Sequence, residues 1–204
     1  ILTNLQKDDI LFIDEIHRLP LTVEEVLYPA MEDFSVDIVL GKGPKAREVR
    51  LKINKFTLIG ATTKFSLVSQ PLRDRFGSTH RLEFYQTKDL EKIISQSANA
   101  LECVISKKGI TEIAKRSRGT ARVANRILRR VRDYATVEAN GEIDDKIANQ
   151  ALERMQIDDY GLDQMDRHLL KSLVSDFNGG PVGLDTLAAA ISEDSETIMD
   201  VYEP

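Results

Sequence analysis

The run Leu11-Phe12-Ile13-Asp14-Glu15-Ile16-His17 constrains the fold most, because an apolar stretch of strand length ends abruptly in two adjacent carboxylates. A buried strand that delivers acids at its carboxyl end is how an open α/β sheet presents charge to a ligand in the crevice there. Beside a nucleotide such a pair divides the work. Asp14 would hold Mg²⁺, through water, and Glu15 would polarise the attacking water. A strand ending at a polar turn looks the same in isolation, so the rest of the chain has to decide.

Residues 10–13 are expected to form a buried strand and residues 22–31 a helix with Val23, Val26, Leu27 and Ala30 on one face. Val36, Ile38 and Leu40, then Val49, Leu51 and Ile53, alternate with other residues around the Gly- and Pro-containing loop 41–47, which predicts a hairpin. Phe56–Ala61 is expected to be a second buried strand and Arg81–Tyr85 a short third. After residue 86 the period becomes helical. Stripes through Leu90, Ile94, Ala98 and Leu101, through Ile110, Ile113 and Ala114, through Val123, Ile127, Leu128 and Val131, and through Ile147, Ala151, Leu152 and Met155 predict a small all-helical domain, its third helix capped by Thr120. Residues 157–163, with three Asp and one Gly, are expected to be a linker. Leu169, Leu170, Leu173, Val174 and Phe177 then mark a helix. A Gly179-Gly180-Pro181 break precedes short helices over 183–191 and 195–203, a helix-turn-helix pattern.

Composition excludes several classes. At 42% hydrophobic and 30% charged the 204 residues suit an ordinary soluble globular protein. No apolar run approaches the roughly 20 residues of a membrane-spanning helix, and no membrane role is expected. One cysteine, Cys103, excludes an intramolecular disulfide framework and fits a reducing cytoplasm. Leu101-x-Cys103-Val104 makes it a small buried hydrophobe. His17, His80 and His168 are too scattered to suggest a metal cluster. Charge is uneven: residues 115–132 hold eight basic residues and no acid, whereas 160–204 hold nine acids against Arg167 and Lys171. The basic block could serve phosphates or pair with acids elsewhere.

Hydrolysing a nucleoside triphosphate needs groups that hold the water, sense the γ-phosphate and neutralise transition-state charge. Thr62 and Thr63, at the end of the second strand, could hydrogen-bond both phosphate and water. In Pro71-Leu72-Arg73-Asp74-Arg75-Phe76-Gly77, Arg73 or Arg75 could reach a neighbouring subunit's nucleotide, or simply pair with Asp74 or Glu83 at the surface. Arg122 lies in the first turn of the long helix, where dipole and free N–H groups attract anions. Arg126 and Arg130 follow at i+4 spacing and read as a solvated basic stripe.

Leu11–Leu19, Val23–Phe34, Gly60-Ala61-Thr62-Thr63, Pro71–Gly77, Arg118-Gly119-Thr120-Ala121-Arg122 and Gly179–Leu184 together closely resemble the RuvB family, bacterial AAA+ motors of Holliday-junction branch migration in recombination and repair. The resemblance covers essentially the whole chain. It implies an α/β fold, a partial P-loop core of parallel sheet and β-hairpin over 1–86, then an all-α lid over 87–157 and part of a winged-helix DNA-binding head over 158–204. It implies Asp14 and Glu15 as the Walker B pair, Thr62 or Thr63 as first sensor, Arg75 or Arg73 as the arginine finger and Arg122 as second sensor. Glu32, Asp33, Phe34 and Tyr85 fall at positions associated with the nucleotide. It further implies ATP and Mg²⁺ as cofactors, a homo-hexameric ring, cytoplasmic location and DNA, both junction and duplex arms, as partner. RuvA would dock on the 36–53 hairpin, with Lys42 and Lys45 contributing, and RuvC would join in the resolvasome. Ala121 replaces the family's usual Pro, loosening the turn slightly while keeping Arg122.

The phosphate loop Gly-x-x-x-x-Gly-Lys-Ser/Thr does not occur in the 204 residues. The resemblance implies that it lies upstream of Ile1 and that the wing lies beyond Pro204. A fragment of this extent is expected to be inactive alone. Two rivals use part of the same pattern: a clamp-loader-like AAA+ ATPase, and a winged-helix regulator with a vestigial ATPase fold.

Overall fold

Asp9–Ile13 (β1) and Phe56–Gly60 (β4) run parallel, with Ile13 opposite Gly60, in the computed structural model, which describes residues 1–40 and 47–199. Parallel neighbours need a crossover. Helix α1 (Leu21–Glu32) and an antiparallel hairpin of β2 (Ser35–Leu40) and β3 (Arg47–Lys52) fill the interval. The hairpin register places Asp37 opposite Arg50, and the Arg50 Nε donates to the Asp37 carboxylate at 2.9 Å. That guanidinium holds the Asp37 carboxyl below its usual range. The tip of the hairpin, with Lys42 and Lys45, lies outside the described residues.

The chain divides into two compact units, Ile1–Arg81 and Leu82–Pro204. In the first, Ile16, Val68 and Leu72 (on α2, Gln70–Arg73) are buried with Ile13, Leu19, Tyr28, Met31 and Phe76 packed around them. The strands are not buried on both faces as expected. Ile10 is 65% and Phe12 59% exposed. Side chains alternate along a strand, and only the Leu11/Ile13 side is partly buried, Ile13 packing on Ile16, Val68 and Leu72. Residues 81–85 form no strand either, since no ladder partner lies beside them among the described residues; Leu82 and Phe84 are exposed, and the Tyr85 N–H instead donates to the Gly119 carbonyl at 2.8 Å.

In the second unit, α3 (Thr87–Ala100), α4 (Lys107–Lys115), α5 (Ala121–Glu138) and α6 (Asp145–Arg154) pack around Leu90, Ile94, Ile113, Ile127, Leu128 and Leu152. Two-residue strands β5 (Val104–Ile105) and β6 (Glu142–Ile143) pair in parallel. Three of these helix starts are satisfied by a side-chain acceptor at the N-cap: Ser106 for α4, Thr120 for α5 and Asp144 for α6. With Ala121 where the resemblance leads to an expectation of Pro, α5 still begins at Ala121. Cys103 packs against this core, and burial pushes its thiol up.

Helices α7 (Gln164–Ser175), α8 (Leu184–Ile191) and α9 (Ser195–Thr197) form a second, smaller cluster around Leu187, Ala188, Ile191 and Ile198. Leu169, Leu173 and Phe177 pack inward as expected, but Leu170 and Val174 face solvent: the apolar stripe is narrower than its composition. The helix expected over 195–203 is α9, with residues 200–204 outside the described set.

The expected linker is pinned. Asp158 accepts the N–H groups of Tyr160 and Leu162, each at 2.9 Å, closing a turn. Buried Arg116 donates to the Asp158 carbonyl at 3.2 Å and pairs with Asp159, while its other branch holds Glu112 at 2.7 Å. Arg118 pairs with Asp166 in the capping box of α7 at 3.1 Å. Gly161 has φ +81°, and a Cβ there would collide with the Arg116 carbonyl oxygen and sit 2.9 Å from its carbon. Gly161→Ala should therefore destabilise this unit by about 1–3 kcal/mol, read as a lowered thermal midpoint. A melt indistinguishable from the parent would contradict the pinned turn.

Candidate functional site

The carboxyl ends of β1 and β4 converge on one small constellation. Beyond the paired strands the chains stay tied, Ala61 N–H to the Ile13 carbonyl and Ile16 N–H to the Ala61 carbonyl, both at 2.9 Å. Between them Glu15 adopts φ 47°, a left-handed conformation uncommon outside glycine. Such strain clusters at functional sites, and here it turns Glu15 toward β4. The Thr63 hydroxyl lies 3.1 Å from Glu15 Oε2 and the Thr63 backbone N–H donates to the same oxygen at 3.3 Å. That N–H, above all, holds the Glu15 carboxyl below its ordinary 4.5, partial desolvation acting the other way and the Thr63 hydroxyl adding to the first. Glu15 is therefore a carboxylate at neutral pH, in the form that can accept a proton.

Asp14 is exposed, and its Oδ1 accepts the Glu15 N–H at 3.0 Å. No group of three His, Cys, Asp or Glu able to hold a metal occurs among the described residues. A lone exposed carboxylate does fit Mg²⁺, which takes one or two protein carboxylates and completes its shell with phosphate and water.

The two threonines, equivalent in sequence, differ here. Thr62 Oγ1 lies 2.8 Å from His17 Nδ1 and accepts the Lys64 N–H at 3.1 Å, so only Thr63 faces Glu15. His17 also reaches Glu15, its Nδ1 lying 3.2 Å from Oε2. Sequence reading passed over His17 because the histidines form no metal-like cluster. Its signal was adjacency, two positions beyond Glu15 in the same run.

A second group forms elsewhere on the first unit. The Arg75 guanidinium stacks over the Tyr28 ring at 4.3 Å, pairs with Glu32 at 3.0 Å and donates to the Pro71 carbonyl at 2.7 Å, leaving a buried Nε without a partner. Glu32 closes α1, roughly 18 Å along the helix from its start. Arg73 lies over Phe65 at 5.4 Å. Asp33 sits 3.8 Å from Arg50, and Phe34 packs edge-on against Phe56 at 6.3 Å, beneath Lys55. Phe56 opens β4, whereas Thr62 and Thr63 follow its end. The structure thus does not gather Glu32, Asp33 and Phe34 with Asp14, Glu15 and Thr63.

In the second unit Tyr85 and Arg122 flank one turn, the Tyr85 N–H bonding to Gly119 just before the Thr120 cap of α5. Arg122, Arg126, Arg129 and Arg130 line a shallow groove with Asn125, whose Oδ1 is buried without a partner. The rest of the basic block is occupied: Arg116 and Arg118 pin the turn after α6, and Arg132 pairs with Asp133.

Comparison with known proteins matches the chain end to end. Residues 1–82 match the Holliday junction DNA helicase RuvB P-loop domain, 85–158 the RuvB AAA lid domain and 159–204 the RuvB C-terminal winged helix domain. Over all 204 residues the chain is 59% identical to the Holliday junction branch migration complex subunit RuvB of Chloroflexus aggregans and 56% identical to that of Lawsonia intracellularis. It spans 58% and 60% of those two proteins' lengths. Among solved structures, a point variant of Thermotoga maritima RuvB aligns with TM-score 0.83 at 46% identity, covering all of this chain and 64% of that one. The Thermotoga maritima RuvB Holliday junction branch migration motor aligns with TM-score 0.80 at 45% identity, covering 63% of that chain.

Proposed function

Because the chain belongs to the RuvB family, we propose that it is part of a subunit of an ATP-driven motor for Holliday-junction branch migration. A match to the family's own lid and winged-helix models favours this over a clamp loader or a regulator. In this reading residues 1–86 belong to the large ATPase domain, 87–157 to the lid and 158–204 to the head. Subunits form a hexameric ring around duplex DNA in the cytoplasm, with ATP between neighbours. RuvA docks on the 36–53 hairpin, and RuvC joins at the junction. DNA is gripped through phosphates, since branch migration must ignore sequence, and binding is salt-sensitive.

Bound Mg²⁺ would neutralise charge on the β- and γ-phosphates, and Asp14 is the residue to hold it. Glu15 orients the attacking water and takes its proton. Thr63 serves as the first sensor: without nucleotide its hydroxyl donates to Glu15, and beside a bound γ-phosphate the same hydroxyl would turn to donate to it, its lone pairs open to the water. Arg122 and Tyr85 approach the nucleotide from the lid. Arg75 reaches the neighbour's γ-phosphate, and Glu32 pairs with it, which supports an across-subunit role for both; Asp33 and Phe34, next in the chain, would complete that nucleotide-facing segment.

The observation that carries this reading is the Thr63–Glu15 contact at the joined ends of two parallel strands. It is tested in a polypeptide completed to the length of the relatives. Thr63→Val should lower kcat by about 10²–10³ with ATP still bound, and Thr63→Ser should keep most of the rate. A valine variant that turns over like the parent would refute the sensor assignment.

A further inference from the structure

The His17 side chain is well enclosed, 6% exposed beside a Glu15 side chain that is 34% exposed. It stands in a short 3-10 turn, Ile16–Arg18, immediately after the left-handed Glu15. Its Nδ1 faces two oxygens at once, Glu15 Oε2 at 3.2 Å and Thr62 Oγ1 at 2.8 Å, one from each strand end. A ring nitrogen presenting its own lone pair to a carboxylate at that distance would be repelled. The ring therefore carries its proton on Nδ1, directed between the two acceptors. Thr62 Oγ1 then accepts from both His17 and the Lys64 N–H, which occupies its two lone pairs. Around Glu15, Oε2 receives three donors: the Thr63 N–H, the Thr63 hydroxyl and His17. Oε1 keeps one longer contact, 3.4 Å to Thr63 Oγ1. One carboxylate oxygen is held and the other is left open to water.

We infer that His17 is a positioning residue of the hydrolytic site, whose Nδ1–H ties Glu15 at the end of β1 to Thr62 at the end of β4 and so sets the carboxylate against Thr63. The inference rests on Glu15 being the base. It divides the adjacent threonines: Thr62 anchors the histidine, and Thr63 keeps lone pairs for the water. Without the tie Glu15 retains only Thr63 and can swing about its own side-chain bonds.

The ring state can be read without nucleotide. Nitrogen-15 NMR of the 204-residue chain should show His17 protonated on Nδ1, relaxing toward the Nε2-protonated form in Glu15→Ala. An Nε2-protonated ring in the unsubstituted chain would overturn the inference. In the completed polypeptide, His17→Phe fills the space without the donor and should lower kcat by up to about 100-fold, the cost of a small misplacement at a reacting group, with KM for ATP unchanged. His17→Asn, whose amide can donate to both oxygens, should recover much of the rate. Parental turnover in His17→Phe, or no recovery in His17→Asn, sinks the positioning role. If Glu15→Gln abolishes turnover while His17→Phe does not, only the histidine claim fails. If Glu15→Gln turns over normally, the reading beneath it fails.

Discussion

Replacing Glu15 by Gln in the completed polypeptide will stop ATP turnover while ATP binding and ring assembly persist. The amide keeps the shape of the carboxylate and can still accept from Thr63 N–H and hydroxyl, so the strand ends stay joined. What it loses is the ability to take a proton. General-base contributions run to about 10²–10⁴ in rate, so kcat should fall by that factor. Phosphate release measures the loss, and a fluorescent ATP analogue checks that binding remains. Near-parental turnover would remove Glu15 from the mechanism and with it the motor assignment of the strand tip.

Arg75→Ala should be as severe, and for a different reason. Within its own subunit Arg75 has a half-exposed partner, Glu32, and a ring contact with Tyr28. Such contacts are worth about 0–1 kcal/mol for the ion pair and about 0.5–1 kcal/mol for the cation–π contact, so the variant should fold. An arginine supplied across a subunit boundary is worth about 10³–10⁵ in kcat. The decisive measurement mixes Arg75→Ala subunits with Glu15→Gln subunits. Each is inactive alone, but a mixed ring contains interfaces with an intact glutamate on one side and an intact arginine on the other. Partial recovery of turnover is expected. No recovery in rings shown to be mixed would place both groups in one subunit's site. Arg73→Ala, whose guanidinium lies over Phe65, should lose far less.

The helical stripes of the second unit were legible because burial there follows a local period. Leu90, Ile94 and Ala98, or Val123, Ile127 and Val131, share a face whatever surrounds them. The hairpin was legible from alternation in the same way, Val36 and Ile38 falling opposite Leu51 and Val49. Ile10 and Phe12 were misjudged because their burial depends on what covers the sheet, and periodicity carries no information about that. Arg81–Tyr85 has strand composition, but a strand exists only beside a partner. Within the site, Asp14 and Glu15 were legible from the abrupt change at the end of an apolar run. The choice between Thr62 and Thr63 was not, because adjacent residues on an extended chain point to opposite sides. Which side met Glu15 depended on the pairing of β1 with β4. Residues 157–163 look like a solvated tether because Asp and Gly favour turns. Their partner, Arg116, lies far upstream.

That partner has a mechanical consequence. A swivel needs spare backbone rotations, and between α6 and α7 few remain: Asp158 closes the turn, Arg116 clamps its carbonyl, and Gly161 nestles where no side chain fits. A tilt of the four-helix bundle is therefore handed on to α7 without slack, and the two clusters behave as a stiff lever arm rather than beads on a string.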